Sequence, residues 1–124
     1  MNSKVKTGLR IFLGIFFLVF GINKFANFLP PFELSGDAEV LFGIYISSGF
    51  LSIIGVLEIL GGLALILNKF VPLALTFLVA IAFNAFLFHL LHDKAGIGGA
   101  VIALTLSLGL VFLNKDRFSQ LLKA

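Results

Sequence analysis

"SGFLSIIGVLEILGGLALILNKFVPLALTFLVAIAFNAFLFHLL", Ser48 to Leu91, decides what kind of molecule this chain makes. Two long apolar runs are joined by "NKFVP", Asn68 to Pro72, which has room for a tight turn and nothing more. Pro72 suits the first turn of a helix, where an amide would be unpaired in any case. A hydrocarbon layer about 30 Å thick needs roughly 20 apolar residues per helix. Each run has that length, so the stretch predicts two consecutive spans, about 47–67 and 72–91.

The same reading extends both ways. "HDKAGIGG", His92 to Gly99, makes the next turn, and a further span over about 97–113 precedes the polar tail "NKDRFSQLLKA". On the other side a first span covers about 9–29 and is stopped by Pro30-Pro31, because proline lacks the amide donor and restrains the residue before it. The connection 30–46 is more polar, holds Glu33, Asp37 and Glu39, and has room for a short interfacial helix starting near Ser35-Gly36. The expectation is an all-α integral membrane four-helix bundle, with residues 1–124 a single transmembrane domain.

Composition agrees. The chain is 60% hydrophobic and 12% charged, with 16 phenylalanines in 124 residues and a mean hydropathy of +1.14, far from the mixture of a soluble domain. Its lipid-bilayer partner follows from that. The basic residues sit at the edges of hydrophobic runs and form no stripe on a polar face, which speaks against nucleic acid. With no cysteine, disulfides, thiolate metal sites and thiol redox chemistry are excluded.

Charge placement predicts orientation. Lys4, Lys6, Arg10, Lys69, Lys115, Arg117 and Lys123 fall on one side of a four-span topology, and only Lys24 and Lys94 on the other. Positive residues stay inside, so both termini are expected in the cytoplasm and the acidic connection outside. A cleaved signal peptide over residues 1–27 is the competing reading, but it lacks an A-x-A-like site.

Small residues suggest the packing faces. Gly99, Ala103 and Ser107 recur every four residues in the last span, and Ser48, Ser52, Gly55 and Gly62 mark one face of the second. In the first, Arg10, Gly14, Phe17, Gly21, Lys24 and Phe28 share one helical face. The same seams would equally serve a homo-oligomer.

The polar residues inside the spans are the candidate site. Glu58 lies almost at the centre of its span, where a charge costs about 2.5–3.5 kcal/mol on insertion scales and a short side chain cannot reach water. It needs a basic partner, a proton or water. Lys24 is the nearer basic residue in depth, about 7 Å outside the midplane, although its stem could also snorkel outward. Asn23 and Asn27 flank it. Asn84 falls about 4–5 Å and His89 about 12 Å outside the midplane, with His92 at the outer surface. Shared depth predicts one polar pocket of Lys24, Glu58, Asn84 and His89 opening outward, with Asn23 and Asn27 at its edge. Asn84 and His89 are about 140° apart around an ideal helix, so a wide cavity or a bend would be required to hold both.

Catalytic motifs are missing. His89 and His92 at i and i+3 have no carboxylate or cysteine set beside them, so neither a metal nor a haem site is expected. "AGIGG" follows no strand and has no nucleotide-binding context, and no nucleophile–base arrangement is visible.

"RIFLGIFFLVFGINKF", "SGFLSIIGVLEILGGLALI" and "FVPLALTFLVAIAFNAFLFHL", with the proline- and phenylalanine-rich connection after the first, resemble the DoxX-like family of small four-helix bacterial membrane proteins. The specific points are Gly21 with Lys24, the glycine-flanked Glu58, Pro72 and the Asn84–His89 spacing. The resemblance implies a bacterial inner-membrane protein, in a family named for subunits found with quinone-linked sulfur oxidation and terminal oxidases. It therefore implies an oxidoreductase partner subunit and a quinone as candidate cofactor, held by Glu58, Asn84 and His89, with no catalytic residue of the chain's own. A structural or stress-related protein without a ligand is the alternative. A small proton-coupled transporter is a further one, but no half-repeat is visible.

Overall fold

From Ser3 the chain is helical without interruption to Ala26, and this 24-residue helix, α1, is the first of four long and apolar enough to cross a membrane. The computed structural model describes residues 3–31 and 33–122; Phe32 and Lys123, which the sequence reading placed in the connection and among the inner charges, lie outside them. The other long helices are α3 (Phe50–Leu67), α4 (Val71–His92) and α5 (Ile97–Leu113), the last preceded by a 3-10 turn at Lys94–Gly96. A shorter helix, α2 (Asp37–Ser47), precedes α3, and a one-turn α6 (Lys115–Phe118) follows α5. The described residues hold no strand.

Local chemistry explains where the helices stop. α1 ends ahead of Pro30-Pro31 because Asn27 takes a left-handed conformation at φ 52°, one of the few non-glycine residues that does so readily. The Asn23 side chain fixes the exit, its Oδ1 accepting the Leu29 amide at 2.8 Å. In the α3–α4 turn Asn68 and Phe70 both have positive φ, and the Lys69 amide returns to the Ala64 carbonyl at 3.0 Å. The turn therefore closes with Pro72 in the first turn of α4. Gly49, at φ 83°, redirects the chain from α2 into α3.

α1 and α3 run antiparallel and form the closest pairing in the bundle, while α4 packs on α5 and on α3, and α1 also meets α5. At the centre of the first pairing are glycines. A β-carbon on Gly62 would stand 2.6 Å from the Gly14 carbonyl oxygen, and one on Gly14 would stand 2.8 Å from that of Gly62. Only glycine lets the two backbones meet there, which is how membrane helices without a hydrophobic driving force gain contact. Around the seam a core of Leu13, Phe17, Leu65, Leu75, Leu78 and Leu110 is almost fully buried. On α5 it is Ala100, Ala103, Ser107 and Leu110 that face inward; Gly99 is exposed.

Both charges on the α1 seam face α3. Arg10 donates through Nη1 to the Leu65 carbonyl and, at 3.3 Å, to that of Ile66. These belong to the last turn of α3, whose carbonyls have no partner within the helix and carry its negative dipole end. Arg10 thus caps the C-terminal end of α3 from inside the bundle.

Candidate functional site

Lys24 and Glu58 form an ion pair. Glu58 is 5% exposed, and the Lys24 ammonium stands at its Oε1, so the ion pair offsets the buried charge. Direction explains why the lysine does not snorkel. The side chain of a helical residue leans toward the N-terminus of its helix. In antiparallel α1 and α3, Lys24 and Glu58 consequently lean toward one another. The Glu58 β-carbon lies opposite Gly21, where a β-carbon would stand only 3.0 Å away, one helical turn closer to the α1 N-terminus than Lys24. The missing side chain at Gly21 leaves the space through which the two meet.

The remaining polar residues go elsewhere. Asn23 and Asn27 shape the end of α1, as described above. His89 turns toward Asp93, its Nδ1 3.1 Å from Oδ2, beside a hollow bordered by Glu33, Asp93 and Gly96. Asn84 is exposed on α4 and lines a groove of about 150 Å³ between α2 and α4. Tyr45, Phe88 and His92 form its other polar and aromatic walls, with leucines between them. The four residues grouped by depth therefore occupy three places: a closed Lys24–Glu58 pair, a His89–Asp93 pair at the end of α4, and Asn84 in a lateral groove. About 140° around α4 separates Asn84 from His89, so that Asn84 lines the groove while His89 pairs with Asp93.

Tyr45 and Phe88 are the groove residues that reading by depth did not select. The Phe88 ring lies 6.2 Å from Tyr45, 6.3 Å from Phe42 and 6.0 Å from His92, centre to centre. These aromatic contacts hold α2 across the end of α4. The available signal was the spacing: Phe42 and Tyr45 share a helix face at i, i+3, as Phe88 and His92 do at i, i+4. Among the described residues no group of three or more histidine, cysteine or acidic side chains is arranged to hold a metal.

Four apolar helices around a glycine seam, with one buried lysine–glutamate pair and a lateral aromatic groove, define a multi-pass membrane protein of the four-helix type. Residues 5–90 match the DoxX family model. The chain belongs to the DoxX family; the matched range takes in most of α1, all of α2 and α3, and most of α4. No curated protein and no solved structure matches it.

Proposed function

We propose that this protein is a ligand-binding accessory subunit linked to an oxidoreductase system of the bacterial inner membrane, with a quinone as its candidate ligand and with both termini in the cytoplasm. The observation that carries the reading is Asn84, an amide exposed on an apolar helix face at the edge of an aromatic groove. Polar groups within membrane spans are costly and tend to mark functional sites. Family membership supports the oxidoreductase link, since the family name comes from such systems. Basic residues at the end of the bundle that carries both termini, Lys4, Lys6, Lys69, Lys115 and Arg117, support the orientation.

A structural role without a ligand is favoured by one specific observation: Lys24 and Glu58 satisfy each other. Native mass spectrometry on protein gently extracted from its own membrane separates the two readings. A retained quinone or a co-purifying oxidoreductase subunit is expected. A well-folded chain that is repeatedly empty and alone would leave only the structural role.

A further inference from the structure

Asn84 lies eight residues inside the His92 end of α4, about 12 Å at 1.5 Å per residue, within a helix long and apolar enough to cross a membrane. Among the described residues, none of Tyr45, Asn84 and His92 makes a side-chain hydrogen bond. All three line the groove between α2 and α4. An amide in hydrocarbon without a partner is unfavourable, so the amide, phenol and imidazole together call for a ligand that accepts and returns hydrogen bonds.

The walls select its class. A volume of about 150 Å³ is that of an apolar cavity able to take up one benzene ring. Phe88, with the Tyr45 and His92 rings around it, offers flat surface on which a planar group can stack. Among the described residues no lysine, arginine, aspartate or glutamate lines the groove, so a charged head group would find no counter-ion there. Leu91, one of its lining residues, is 68% exposed. Such an exposed apolar wall suits a ligand that arrives from the bilayer.

We propose that the α2–α4 groove binds a neutral amphiphile drawn from the bilayer, its planar, carbonyl-bearing head group stacked on Phe88 and hydrogen-bonded by the Asn84 amide. This rests on the ligand-binding reading above, and it places the ligand away from the Lys24–Glu58 pair.

The chain supplies its own reporter. Tyr45 is its only tyrosine and it has no tryptophan, so ultraviolet emission from the full-length protein in lipid vesicles free of any other protein reports on this groove. A short-tailed menaquinone is titrated as the probe, with diacylglycerol and phosphatidylglycerol as ringless neutral and anionic controls and a free tyrosine derivative correcting for absorption. Saturable quenching by the menaquinone alone is expected. In Asn84→Leu the half-saturating concentration should rise about tenfold, the loss of one good hydrogen bond, and Asn84→Gln should recover part of it. His92→Phe, at the exposed end of the helix, serves as a second variant should Asn84→Leu not be recovered folded.

Unchanged quenching in folded Asn84→Leu and His92→Phe would overturn the proposal. So would a dimeric wild type that becomes monomeric in Asn84→Leu without any effect on quenching, which would assign the amide to a second copy of the chain. A ligand seen by native mass spectrometry with no saturable quenching of Tyr45 would sink the groove and leave the accessory-subunit reading standing. An absence of both would end the two together.

Discussion

Glu58 is the residue whose environment is most demanding. Removing one partner of a buried ion pair leaves the other charge uncompensated, which costs about 3–5 kcal/mol, whereas replacing both with apolar groups is often neutral. Lys24→Met and Glu58→Leu should each lower the stability of the detergent-solubilised protein by about that amount, and the double variant should recover most of it. A denaturation series on the three variants checks this; additive losses would mean that the pair is not coupled. Arg10 acts on a smaller scale. Arg10→Gln gives up charged hydrogen bonds to the α3 carbonyls, and a loss of about 1.5–3 kcal/mol is expected, measurable in the same series.

At the scale of elements, the α1–α3 seam and the lipid-facing side of α5 make opposite demands on glycine. A β-carbon at Gly62 would press into the backbone of α1, whereas one at Gly109 meets nothing within 4 Å. Gly62→Ala should therefore force the helices apart and cost about 1–3 kcal/mol. Gly109→Ala should be neutral or stabilise by up to about 1 kcal/mol through helix propensity. Thermal unfolding of the two variants distinguishes a packing glycine from an incidental one, which counting glycines in a membrane helix cannot do. The same limit appears in reading α2. Its acidic first turn, Asp37 and Glu39, marks it as a connection near the membrane surface. That it lies across α4 depends on the aromatic rings at Phe42, Tyr45 and Phe88.

For the whole molecule, orientation is the property to test, and the absence of cysteine makes a clean experiment available. Ser3→Cys and Ser35→Cys place one thiol at each end of the bundle, both at exposed positions. With cytoplasmic termini, a membrane-impermeant maleimide added to intact cells should label Ser35→Cys at once and Ser3→Cys only after permeabilisation. The reverse pattern would invert the topology and place the mouth of the groove in the inner leaflet.

Amino-acid order alone sets the solvent and the class of fold. Hydropathy accumulates over some 20 residues, so the four long helices stand out even though their boundaries shift with a single asparagine, as at Asn27. It also determined that Glu58, in the middle of an apolar run, could not stand alone. Depth along a helix follows from counting residues, but direction around the bundle does not, because it depends on which faces meet. Tertiary structure alone decided that Lys24 leans inward to Glu58 across the gap left by Gly21, and that Arg10 caps α3. It also sent His89 to Asp93 and set Asn84 beside Tyr45 and Phe88. The Lys24–Glu58, Arg10–α3 and Tyr45–Phe88 contacts join residues on different helices, and backbone approach at Gly14 and Gly62 fixes the register in which α1 and α3 meet.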